Sequence, residues 1–140
     1  MLLALLELVT VGLPFCAFKI LTGVIAVQWS PAGYALIALG IIDLVLNTVN
    51  LIALVALRRR IGSVCLVELV LRRFARRAEV GLAIDVFVSF ALVALVVGLG
   101  WIALIPAAVL PLWNLAVVLN VLGAGVGRLF SALSADPRPA

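Results

Sequence analysis

The chain has 140 residues, of which 67% are hydrophobic and 11% charged, and its mean hydropathy is +1.41. A water-soluble fold is usually about half apolar and a quarter charged, so this composition excludes an ordinary soluble domain and implies an integral membrane protein. The net charge is +4, but seven of the nine arginines lie between Arg58 and Arg77; a basic block between apolar runs points to topology and anionic lipid rather than nucleic acid.

The first apolar run covers roughly residues 4–27, with Glu7 near its start, Pro14 as a candidate kink and Lys19 in its second half. About 20 apolar residues are needed to cross the hydrocarbon, so this run is long enough. It lacks a basic leader region and is expected to be retained as a span. Residues 28–34 form a turn punctuated by Pro31 and Gly33, with Trp29 and Tyr34 suited to a membrane interface.

The second span, roughly 32–57, carries Asp43, Asn47 and Asn50 at i, i+4 and i+7. Helical geometry puts these three on one stripe, and a polar stripe at membrane depth must face protein or water. Gly40 lies near the same face and admits a close neighbour. Arg58, Arg59 and Arg60 stop the span.

Residues 61–79 are expected to form an amphipathic helix in the headgroup plane. Val64, Val67, Val70, Leu71, Phe74, Ala75 and Ala78 share one face, while Glu68, Arg72, Arg73, Arg76, Arg77 and Glu79 share the other. Arg58, Arg59, Arg60, Arg72, Arg73, Arg76 and Arg77 are the expected lipid-headgroup contacts.

The third span is roughly 80–104, with Asp85 in its first turns and Ser89 four residues on. Pro106 and Pro111 break the chain before a fourth span at roughly 110–130. There Asn120, Gly123 and Gly127 fall on one face, and Gly123-x-x-x-Gly127 permits close helix contact. The tail, 134–140, is polar and expected to be disordered in the cytoplasm. Residues 1–133 thus read as one transmembrane domain, an all-α four-helix bundle with an interfacial helix between spans 2 and 3. The positive-inside rule puts the arginine block and both termini in the cytoplasm. The preference for arginine over lysine suggests a GC-rich bacterial genome and hence an inner membrane.

Glu7, Lys19, Asp43, Asn47, Asn50, Asp85 and Asn120 are the candidate intramembrane polar residues. Counting 1.5 Å per residue, Asn50, Asp85 and Asn120 each lie about 12 Å from the nearest cytoplasmic arginine and predict a common layer. Lys19 lies nine residues below Gln28 and Asp43 eleven residues below Ala32; neighbouring antiparallel helices can bring the two together, and a salt bridge between them is expected to offset much of the cost of burying either alone.

The inventory points away from catalysis. There is no histidine, and Cys16 and Cys65 form neither a C-x-x-C nor a metal-ligand spacing. No nucleophile–base constellation or phosphate-binding glycine loop is present in the sequence, so no enzyme activity, metal or cofactor is expected. The first functional expectation is an accessory, assembly or scaffold subunit, bound to another membrane protein, to a second copy of itself or to anionic lipid. The alternative is a small oligomeric ion- or proton-coupled transporter or channel that uses Asp43, Asp85 and Lys19.

Overall fold

The computed structural model describes residues 2–74 and 78–134. Among these the secondary structure is helical, with no strand. The first helix, α1 (Leu2–Glu7), runs through a π-helical segment (Leu8–Gly12) into α2 (Leu13–Ala26). The wide turn has a cause in the sequence. Pro14 has no N–H for the carbonyl four residues back, and its ring crowds that carbonyl. Thr10 donates its hydroxyl to Leu6 O at 2.7 Å and Cys16 its thiol to Gly12 O at 3.1 Å within this stretch.

A short turn leads to α3 (Ala32–Leu57), whose first N–H is accepted by Ser30 Oγ. The helix ends at Arg58, which adopts the left-handed conformation with φ 57°, the usual way of turning a chain off a helix end. Helix α4 (Leu66–Phe74) follows, then α5 (Ala78–Gly98). Gly100, at φ 71°, turns the chain into a 3₁₀ segment (Trp101–Leu104), and α6 (Leu110–Ser134) closes the structure.

Helix α2 is the hub, packing on α3, α5 and α6. Phe18 meets Trp113 of α6 edge to face at 5.0 Å between centroids, and Phe15 meets Phe90 of α5 in the same manner at 5.7 Å. Against α3 the contact is made by small residues. A Cβ on Gly40 would come within 2.7 Å of Ile20 Cγ1, and one on Gly23 within 2.7 Å of Gly33 O. The two turns at the far end from the connector join through stacked Trp29 and Trp101, 5.1 Å apart.

Three helices are long and apolar enough to cross a membrane: Ala4–Ala26, Ala32–Leu57 and Leu110–Gly127. Ala83–Gly98 of α5 is a shorter apolar stretch. Large apolar side chains such as Val45, Ile52 and Val55 on α3, and Leu115, Leu122 and Leu129 on α6, are exposed, as required of surfaces that meet lipid or another protein rather than water.

Several boundaries differ from the sequence reading. The third apolar helix ends at Gly98 rather than near 104, because Gly100 reverses the backbone. Ser134 belongs to α6; the rest of the expected tail, 135–140, lies outside the described residues, as do Arg76 and Arg77. The connector is not one helix over 61–79: only Leu66–Phe74 is helical before residue 75. Residues 58–65 instead run back along α3, for reasons that lie in the polar stripe.

Candidate functional site

Lys19 of α2, Asp43 of α3 and Asp85 of α5 meet where the three helices face one another, all three buried. Lys19 Nζ donates to Asp43 Oδ2 at 2.5 Å and also to Asp85 Oδ1. The pair expected from depth alone, Lys19 with Asp43, is thus a triad. One ammonium faces two carboxylates, so the group carries a formal charge of −1 with all members ionised.

The two carboxylates are not equivalent. Asp43 uses its second oxygen, Oδ1, to accept the backbone N–H of Leu66 at 2.7 Å. That N–H is one of the orphan donors at the start of α4, where the helix dipole also favours an anion. Asp85 Oδ2 receives no hydrogen bond from any described residue. Asp43 is therefore fixed on both sides, whereas Asp85 retains an unused oxygen.

The rest of the stripe holds the connector. Asn50 Nδ2 donates to Ser63 O at 2.8 Å, and its Oδ1 accepts the N–H groups of Ile61 and Gly62, both at 3.2 Å. Asn47 Nδ2 donates to Val64 O at 2.7 Å. A buried irregular backbone must have its polar groups satisfied, and these two amides supply what a second strand or helix would otherwise provide. Asp43 is seven residues from Asn50, about 10 Å along the helix. The chain thus climbs α3 from the Asn50 level to the Asp43 level before α4 begins.

Helix α4 is capped locally as well. Cys65 Sγ accepts the N–H of Glu68 at 3.4 Å, and Glu68 Oε2 accepts the N–H of Val64 at 2.9 Å. The arrangement resembles a capping box with a thiol in place of the usual hydroxyl. Gly81 of α5 packs directly on the Glu68 backbone, where a Cβ would come within 2.6 Å. No α4 side chain is buried, and Val70 and Phe74 are exposed along with Arg72 and Arg73.

A narrow cavity, with about 30 Å³ open to the centres of water molecules, reaches the triad; this is room for one or two waters. Lys19, Asp43, Asp85 and Asn47 line its inner end. Among the described residues its exposed lining is Glu7 and Arg60, which set its mouth. Arg60 Nη2 donates to Glu7 Oε2 at 2.6 Å and to Ala4 O at 3.2 Å, tying the connector to α1. Arg60 is therefore an exposed ion-pair partner of Glu7, and Arg58, Arg59, Arg72 and Arg73 are exposed as well.

The common layer of Asn50, Asp85 and Asn120 does not form. Asp85 joins Lys19 and Asp43, Asn50 binds the connector, and Asn120 is buried on α6 with its Nδ2 unpartnered among the described residues. Depth counted from the arginines fails because α3 and α5 do not start from one plane. Of the glycines, Gly123 packs against Thr10, whose hydroxyl would collide with a Cβ there, while Gly127 has open space. The sequence reading missed Gly12, Thr10, Ser63, Cys65 and Glu68. The spacing Cys65-x-x-Glu68 held a signal, but a thiol is an unusual cap.

Among the described residues no cluster of three or more His, Cys, Asp or Glu side chains suits a metal ion. Comparison with protein-family models, with curated proteins and with solved structures finds no match.

Proposed function

We propose that this is a multi-pass membrane protein that moves protons or other small cations, with Asp85 as the exchanging group and Asp43 and Lys19 as its fixed partners. The observation that carries this reading is the cavity running from the Glu7–Arg60 mouth to a buried triad with one carboxylate in excess. Buried ionisable groups inside apolar helices are costly, and those that persist pair with one another or line a path for an ion or proton. An excess carboxylate facing a water-sized cavity is instead a place where a cation can be taken up and released.

In this reading α5 crosses the membrane as the third of four spans, and the inner membrane of a bacterium is the setting. The arginine block and both termini face the cytoplasm under the positive-inside rule. The cavity mouth then opens to the cytoplasmic side. Arg58, Arg59, Arg72 and Arg73 meet anionic headgroups, and the exposed apolar face of α4 rests against lipid. The π segment beside the cavity supports the same reading, since such wide turns recur at functional sites.

The test is reconstitution of the purified protein into liposomes carrying a pH-sensitive or cation-sensitive dye. Wild-type protein is expected to dissipate an imposed ion gradient. Asp85→Asn is expected to abolish that flux while inserting and eluting as wild type does. A wild-type protein that moves no ion in such vesicles returns the weight to an accessory or scaffold subunit.

A further inference from the structure

We propose that the inner end of the cavity is a binding site for one alkali cation of about sodium size, with the unused oxygen of Asp85 and Oδ1 of Asn47 as its protein ligands. Three independent observations meet there. The first is charge: one ammonium faces two carboxyl groups, so with all three ionised one negative charge is uncompensated. In a medium of low dielectric, a single positive charge brings the site to neutrality, whereas a divalent ion would overshoot it.

The second is an orphaned acceptor. Asn47 is 3% exposed, and its Oδ1 is buried without a hydrogen-bond partner among the described residues. The orientation of this amide is fixed, because Nδ2 donates to two carbonyl oxygens, Asp43 O at 2.9 Å and Val64 O at 2.7 Å. A flip would set Oδ1 against both. The carbonyl end is therefore held toward Gly12 in the cavity wall, and a Cβ on Gly12 would collide with it. A buried acceptor without a donor costs free energy, and a cation is one species that would relieve it.

The third is space and ligand type. The cavity has room for a water-sized body and is lined by Asp85 and Asn47, and each offers an oxygen. Hard oxygen ligands with a single net charge suit sodium or lithium better than a transition metal. Lys19 keeps its bond to Asp43, so the loaded site contains two cations and two carboxylates. Loading is an association only; no bond is broken.

This site rests on the transport reading for its purpose but not for its test. Purified wild-type protein in mild detergent is melted in sodium, lithium, potassium or choline chloride at equal ionic strength, and retention of radiosodium is measured on the same material. A saturable rise in Tm of about 5 °C or more in sodium or lithium over choline is expected, from binding to the folded state alone. Asp85→Asn is expected to remove the difference. Identical melting in all four salts, with no radiosodium retained, overturns the site. Cation stabilisation without flux in vesicles would leave the site standing and the transport reading refuted. Proton flux without any alkali-cation effect would do the reverse.

Discussion

The backbone N–H of Leu66 lies 2.7 Å from Asp43 Oδ1, so the carboxylate that neutralises Lys19 also anchors the first turn of α4. Charge in the bundle centre and position of the connector are thereby linked through one side chain. Asp43→Asn retains an oxygen that can accept from Leu66 but loses the charge; Asp43→Ala loses both. The alanine variant is expected to be the more destabilised, by about 1–3 kcal/mol, since it leaves the Leu66 N–H without an acceptor while Lys19 keeps Asp85. Limited proteolysis near Arg58–Arg60 reports the connector directly, with rapid cutting expected in Asp43→Ala and slower cutting in Asp43→Asn.

Lys19 bridges both carboxylates, so its removal leaves two like charges buried together. Lys19→Met alone is expected to be worse than Lys19→Met combined with Asp85→Asn. A coupling of about 1–3 kcal/mol in a double-mutant cycle of thermal or chemical unfolding is the expected size. Additive effects would mean that Lys19 and Asp85 do not interact.

The part of this arrangement that was legible in the sequence is the part that depends on one helix at a time. Hydropathy and length locate three long apolar helices, and helical rise sets Lys19 opposite Asp43, because both depths are counted from the same tight turn at 28–31. The stripe Asp43, Asn47 and Asn50 is likewise a property of α3 alone. What was not legible is what the stripe receives. Depth counted from Arg58 and from Arg77 assumes that both helices begin in one plane. The connector instead climbs α3, and Asp85 meets Asp43, seven residues from Asn50. No periodicity marks residues 58–65, because their hydrogen bonds go to side chains of another element.

Asn50 makes three hydrogen bonds to the connector, to Ser63 O and from the N–H groups of Ile61 and Gly62. At about 0.5–1.5 kcal/mol each, Asn50→Ala should cost roughly 2–4 kcal/mol. The specific signature is hydrogen exchange: the Ile61 and Gly62 amides are expected to lose protection in this variant while amides of α2 and α6 keep theirs. Uniform loss would mean that the connector and bundle open as one unit.

The glycines divide into two groups. Gly23, Gly33 and Gly40 sit where α2 and α3 touch, and a Cβ on Gly33 would meet the backbone of Val27. Alanine at Gly23 or Gly40 is expected to destabilise by about 1–3 kcal/mol through overpacking. Gly125 and Gly127 have no described residue within 4 Å of a Cβ, and alanine there is expected to be neutral or to stabilise by up to about 1 kcal/mol through helix propensity. A destabilising Gly127→Ala in the solubilised protein would indicate that this face is covered by a second copy.

Cys65 sits 2% exposed at the head of α4, and burial pushes its thiol from 9.0 up to about 12. The reactive thiolate is therefore scarce at neutral pH, and maleimide should label Cys65 only when the connector opens. Labelling is expected to accelerate in Asn50→Ala and Asp43→Ala, in step with the loss of amide protection. The sign of the pH dependence follows from the same shift. The unfolded thiol ionises near 9 and the folded one near 12, so the thiol's contribution to stability is fully present below pH 9 and is lost as pH rises from 9 to 12. Cys65→Ser tests this, because its hydroxyl can replace the sulfur as acceptor from Glu68 but does not titrate. The alkaline loss of stability should be shallower in that variant, and an unchanged alkaline profile would show that the thiol is not its source.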